Sequence, residues 1–220
     1  MKVEVFRGEH GSSPLQSRLA SVSFVDSAAV AAYYAVAPND RRDADEATTP
    51  RLLHCQVSII NPLTNAGDDA FIDYEVLEAK VGRDCAIGLM ARHADHIKAT
   101  SAWEEGFAEQ YDSVEALIRA EPERLNELYL QIWPVLDDPQ SVADLKQVGV
   151  DGAVYRGSGM SMNAVEYRVF SLDQIQTLAT YHAPSVAALP AAAVLDGLVL
   201  NLSDLVPVST ANKPRGPRPR

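Results

Sequence analysis

The sequence predicts an α+β domain in which strand-like segments at both ends of the chain enclose a long helical stretch. Two observations carry this. VEVFRG near the N-terminus and GVDGAVYRG and AVEYRVF in the last third alternate or concentrate β-branched and aromatic residues, whereas from Phe71 to about Leu145 the apolar residues recur at helical spacing. A chain of 220 residues fits one domain, or one with a small appendage, and can bury about 70% of the surface its unfolded form exposes. A cleft inside a real core is therefore attainable.

Taken in order, VEVFRG reads as a short strand ending at Gly8, and GEHGSSPLQS, with two Gly, three Ser and a Pro, reads as a loop. LASVSFV is a second short strand. DSAAVAAYYAVA follows as an Ala-rich helix with Asp26 or Ser27 as its N-cap, closed by Pro38. NDRRDADEATTP is polar and unpatterned, an exposed loop before the strand LLHCQVSII, which stops at Asn61-Pro62. The helical stretch then runs through FIDYEVLEAKVG, CAIGLMARHADHIKA, DSVEALIRA, PERLNELYLQIWPVL and QSVADLKQVG, and is read as an insertion over residues 71–147. Strand character returns in GVDGAVYRG and AVEYRVF, and SLDQIQTLATY adds a turn and one more short strand. The main domain is set at residues 1–183. The apolar, small-residue segment 184–210 is expected to cover the core or contact a partner, and 211–220 is a Pro/Arg tail that cannot pack.

Composition excludes several classes. Hydrophobic content of 47% with 22% charge is globular, and no apolar run reaches the eighteen or so residues needed to cross a bilayer. Charges at Lys2, Glu4, Arg7 and Glu9 leave no apolar core for a secretory signal. Cys55 and Cys85, thirty residues apart without nearby paired ligands, suggest neither a disulfide scaffold nor a zinc site. The expectation is a soluble, cytoplasmic protein. A net charge of −11, with Lys213, Arg215, Arg218 and Arg220 confined to the last eight positions, disfavours sequence-independent nucleic-acid binding.

Three segments combine into a functional signal: VFRGEHG, then SVSFVDSAAVAAYYA, then DGAVYRG followed by VEYRVFSLDQI. In this order they resemble the ADP-ribosyltransferase superfamily. The first is similar to its strand ending in Tyr/Phe-Arg-Gly or Tyr/His-Gly, and the second to its Ser-x-Ser or Tyr-Phe strand with an Ala/Tyr-rich helix behind. EYRVFSLDQI resembles the Glu-Tyr-x-Val-Tyr/Phe-x-x-x-Gln-Ile/Val run of poly(ADP-ribose) polymerases and bacterial and phage relatives. LKQVGVDGAVYRG also looks like the G-x-D-G strand that precedes that run. The matching segments cover about a third of the chain. The resemblance implies a split mixed β-sheet core, NAD as substrate without a metal, and a toxin, effector or phage protein acting in the cytoplasm or delivered into a host cell.

The chemistry gives such a set a reason. Breaking the N-glycosidic bond of NAD develops positive charge on the ribose, which a carboxylate bound to a ribose hydroxyl stabilises. Glu166 is the candidate carboxylate. Arg7 is the candidate guanidinium for pyrophosphate or ribose oxygens, through a fork of donors that Lys cannot copy. Gly8 would offer a backbone contact to nicotinamide, Ser23, paired with Ser21, would orient Glu166, and Phe24 with Tyr33 or Tyr34 would supply ring surface. EHGSS offers an alternative, in which His10 binds the adenosine ribose and Arg7 is peripheral; the strand-end position favours Arg7. Alternation puts Glu166, Arg168 and Phe170 on one side of their strand and Val165, Tyr167 and Val169 on the other. His93, Asp95 and His96 resemble a metal cluster, but three ligands on one helix without a fourth read as a solvated face.

Departures narrow the activity. Arginine-modifying members carry Glu or Gln two residues before the catalytic Glu, where this chain has Ala164, and Phe24 lacks the hydroxyl of polymerase-type sites. Mono-ADP-ribosylation of a macromolecular acceptor, with protein preferred, is the leading expectation. The alternatives are an NAD glycohydrolase using the same cleft, and a non-catalytic interaction module whose apolar C-terminal segment binds a partner.

Overall fold

A computed structural model describes residues 1–10, 20–36, 50–64, 70–157, 164–183 and 200–208. The architecture is α+β. Strands β1 (Lys2–His10), β2 (Val22–Val25), β3 (Pro50–Ser58), β6 (Gly152–Arg156), β7 (Val165–Val169) and β8 (Ile175–His182) form one six-stranded sheet in the order β6-β7-β2-β1-β3-β8. Every pairing between these strands is antiparallel, so the sheet is not the mixed one expected; among the described residues one isolated parallel bridge joins Pro62 to Gly152 at the start of β6. β1 and β3 are in register from Lys2–Ser58 to His10–Pro50, but β1 meets β2 in register at one pair, Phe6 with Val25. The sheet is thus two three-stranded halves hinged at Phe6–Val25.

The packing of helix α1 (Ala28–Val36) explains its alanines. Ser27 Oγ accepts from the Val30 N–H at 3.3 Å and caps the helix, while Asp26 turns to β7 and accepts from the Val165 N–H at 3.0 Å. Ala29, Ala31, Ala32 and Ala35 are buried against the sheet. A Cβ on Gly8 would stand 1.9 Å from the Ala31 carbonyl oxygen and 2.6 Å from the Ala35 nitrogen. Only glycine lets β1 approach so closely.

Residues 70–150 form the helical unit, with a core around Tyr74, Leu89, Trp103, Phe107 and Leu136 that continues onto Ala153 and Tyr155 of β6 and Phe170 just past β7. Its helices are α2 (Tyr74–Val81), α3 (Arg83–Arg92), α4 (Ala94–Lys98), α5 (Ser101–Gly106), α6 (Val114–Ala120), α7 (Ile132–Asp137) and α8 (Pro139–Gln147). Two segments read as helical instead pair as a ribbon, β4 (Phe71–Asp73) with β5 (Tyr129–Gln131). Short, wholly apolar-polar triplets carry too little pattern to separate strand from helix. His93 breaks the CAIGLMARHADHIKA helix into α3 and α4 and is buried, not solvated as expected.

The G-x-D-G and Gln-Ile matches prove to be fold elements. Gly149 has φ +84°, and a Cβ on Gly152 would lie 2.4 Å from the Arg168 carbonyl oxygen. The Asp151 carboxylate accepts from the Ile60 and Asn61 N–H groups, both at 2.8 Å. Gln174 accepts from the Phe170 and Ser171 N–H groups and donates to the Ser58 and Asp151 carbonyls. It ties β3, β6 and the β7–β8 turn together. At the C-terminus, Leu200, Leu202 and Leu205 pack on the α1 side of the sheet, and Pro207 bridges to Tyr181 on β8. That part of the apolar segment covers the chain's own core; 184–199 and the 211–220 tail lie outside the described residues.

Candidate functional site

β7 is the strand that builds the site. It is paired on both edges, with β2 and β6, and places Glu166 opposite Val25 on one side and Tyr155 on the other. Val169 packs in the sheet core with Val5, Phe24 and Val154, whereas Phe170 joins the core of the helical unit. The alternation read from the sequence therefore holds, with Glu166 and Arg168 on the Phe170 side.

A buried carboxylate is costly unless it is paired and hydrogen-bonded. Glu166 is 9% exposed, and its Oε2 has Tyr155, Ser23 and Arg168 among its neighbours. The Tyr155 hydroxyl donates to it at 2.9 Å, the Ser23 hydroxyl lies at a longer 3.4 Å, and Arg168 Nε stands 3.6 Å away. Burial pushes the Tyr155 phenol upward, the Glu166 charge adds to this and Arg168 opposes it. At ordinary pH the phenol therefore stays protonated and remains a donor.

Arg168 is also buried and meets stronger partners elsewhere. Its Nη1 donates to Asp137 Oδ1 at 2.8 Å and to the Ser21 hydroxyl at 3.3 Å, and its Nε donates to the Tyr155 hydroxyl at 3.2 Å. Ser21 in turn donates to the Leu136 carbonyl at 2.7 Å. Asp137 and Leu136 end α7, so this network joins the helical unit to the sheet beside Glu166.

The remaining expected residues separate. Ser23 and Glu166 are brought together as read. Phe6 pairs with Val25 and Val25 with Glu166, so alternation places Arg7 on the opposite face, with Val5. The expectation that Arg7 and Glu166 point into one cleft needs this correction. Arg7 donates to the Ser23 carbonyl at 2.8 Å and to Glu9 at 2.6 Å, and Arg51 flanks Glu9 at 3.6 Å. The link from Arg7 to Glu166 runs through Ser23. Phe24 is 1% exposed inside the sheet core and offers no ring face to a ligand, a consequence of its alternation with Ser23. Tyr33, on α1, packs partly buried against the core beneath that helix, Tyr34 is 38% exposed, and Ser21 is buried in the Arg168 network. The open face of Gly8 is filled by α1. The His10 backbone pairs with Pro50, and its side chain lies outside the described residues.

Tyr155, Arg168 and Asp137 were not read as site residues. For Arg168 the signal was present in its position two residues from Glu166 on one face. For Tyr155 it required the β6–β7 register, and for Asp137 no local pattern points across thirty residues of chain. A groove of about 430 Å³ lies near the other end of β6 and β7, lined by Lys146, Asp151, Phe170, Asp173 and Gln174 among others. None of these belongs to the Glu166 network. Both cysteines are free thiols, and no cluster of His, Cys, Asp or Glu among the described residues could hold a metal. Comparison with protein-family models, with curated proteins and with solved structures found no match.

Proposed function

We propose that the chain is an NAD-dependent mono-ADP-ribosyltransferase acting on a macromolecular target. The observation that carries the reading is Glu166: a buried carboxylate in the middle of a three-strand row, addressed at one oxygen by hydroxyls from the strands on either side. Such a group is held in place before substrate arrives, as electrostatic stabilisation of a developing charge requires.

In the reaction, the bond between ribose C1′ and the nicotinamide nitrogen breaks. Its electron pair leaves with nicotinamide, which becomes neutral, and positive charge spreads over C1′ and the ring oxygen. Glu166 accepts a hydrogen bond from a ribose hydroxyl and stabilises that charge. The acceptor then attacks C1′ and loses its proton. Ala164, buried and apolar, offers no second carboxylate to steer an arginine, so another acceptor chemistry is favoured.

The two competing readings give different products. A glycohydrolase would use water as acceptor and yield free ADP-ribose. An interaction module working through the apolar C-terminal segment has lost part of its surface, because Leu200, Leu202 and Leu205 already pack on the chain's own core. No helix among the described residues is long and apolar enough to cross a membrane. The test is incubation with labelled NAD, with and without cell lysate, for wild type and Glu166→Ala. Label on a discrete component with wild type alone supports transfer; nicotinamide release without labelling supports hydrolysis; no turnover contradicts both.

A further inference from the structure

Resting on that reading, we infer that Asp137 of the helical unit is a positioning residue for Glu166, acting by keeping the Arg168 guanidinium from closing on it through hydrogen bonds. Arg168 has two carboxylates within reach, and a buried guanidinium must pair with at least one. The distances show which one prevails. Nη1 meets Asp137 at hydrogen-bond length, 2.8 Å, whereas Nε stands 3.6 Å from Glu166 Oε2, beyond a hydrogen bond.

Glu166 feels the Arg168 charge directly at 3.6 Å, but the hydrogen bonds from Arg168 reach it through Tyr155. Nε donates to the Tyr155 hydroxyl at 3.2 Å, and that hydroxyl donates to Oε2 at 2.9 Å. The bonds run in one direction along the chain Arg168, Tyr155, Glu166, so the cation sharpens the phenol as a donor without closing on the carboxylate. The Ser21 hydroxyl, fixed by its bond to the Leu136 carbonyl, supports the same rotamer of Arg168.

The arrangement has a chemical purpose. A guanidinium engaging Glu166 through two parallel bonds would compete with a ribose hydroxyl for the carboxylate's lone pairs. Asp137 prevents that closure. The helical unit is therefore part of the site: the end of α7 sets the geometry of a residue on β7.

Three variants test this, each scored for NAD turnover with kcat and KM separated and for melting temperature. Asp137→Asn frees Arg168 to close on Glu166, and kcat is expected to fall on the order of 100-fold with KM nearly unchanged, as for a displaced reacting group. Asp137→Glu restores the anchor and most of kcat. In the double variant Asp137→Asn/Arg168→Met the capturing cation is gone, and kcat rises above that of Asp137→Asn alone. A merely structural Asp137 would leave the double variant no better than the single one, and that result overturns the inference. An active wild type with an equally active Asp137→Asn overturns it while sparing the proposed function. A wild type that never turns over NAD overturns both.

Discussion

Two polar networks in this molecule use the same residue types for different ends. Inside the helical unit, Asp138 caps α8: its Oδ2 accepts from the Ser141 N–H and hydroxyl, both at 2.7 Å, and Ser141 Oγ meets His93 Nε2 at 2.8 Å. Because the one Ser141 proton is committed to Asp138, Nε2 of His93 must carry the proton and donate. The carboxylate there answers to backbone, and the network closes the end of a helix. Around Glu166, by contrast, side chains from β2, β6 and β7 converge on one carboxylate oxygen, and their cation is anchored in the helical unit. A carboxylate held by hydroxyl donors does not by itself separate a site from a strut; the separation comes from what the carboxylate serves.

The comparison can be broken by substitutions, beginning with the sheet that carries Glu166. Gly8→Ala must push α1 off β1, since its Cβ would meet the backbone at Ala31 and Ala35. A loss of about 3 kcal/mol or more in denaturant unfolding is expected, the upper end of overpacking costs. A loss below 1 kcal/mol would show that α1 yields easily and that the Gly8 contact is not a constraint. Asp138→Ala removes the α8 cap and the partner of Ser141, and should cost about 1–2 kcal/mol of stability while leaving NAD turnover per folded molecule unchanged. A fall in turnover would merge the two networks into one.

Ser23→Ala removes the longer of the two hydroxyl contacts to Glu166. With about 0.5–1.5 kcal/mol at stake, turnover should fall by roughly tenfold or less while the unfolding midpoint hardly moves. A loss as large as that from changing Glu166 itself would make Ser23 a participant and not a support.

The smallest expected effect is on pH dependence. Desolvation holds the His93 imidazole below its ordinary range, outweighing the attraction of Asp138, with His96 and Arg92 adding to the depression. A histidine whose folded value is lowered binds protons more readily when unfolded, so its contribution to stability is fully present above about pH 6.5 and is lost as pH falls toward the folded value. Melting temperature should decline on acidification through that window, and His93→Gln should flatten the decline. An unchanged slope would assign the acid sensitivity to other groups.

The same contrast shows what was legible before the structure. The Ala-rich α1, the face shared by Glu166 and Arg168, and the helical character of the middle all follow from local pattern, whereas β1 does not end at Gly8 as expected but runs on to His10, paired with β3 throughout. β4 and β5 were missed because three-residue strands carry no period, and His93 was misread because its partner, Ser141, lies 48 residues on. The Ser23–Glu166 contact is legible as a pairing of segments, whereas the expectation of Arg7 and Glu166 facing one cleft fails, since register across the Phe6–Val25 pair cannot be read from either strand alone. Phe24 was assigned to a ligand when its alternation with Ser23 commits it to the core.

The central claim rests on one carboxylate, and one measurement addresses it most directly: nicotinamide release from NAD by wild type and by Glu166→Gln, with binding and folding followed in parallel. Glu166→Gln keeps the shape of the side chain and leaves Arg168 paired with Asp137, so the variant should fold and still bind NAD while release falls by about 10²–10³-fold. A folded Glu166→Gln that releases nicotinamide as fast as wild type would contradict the account.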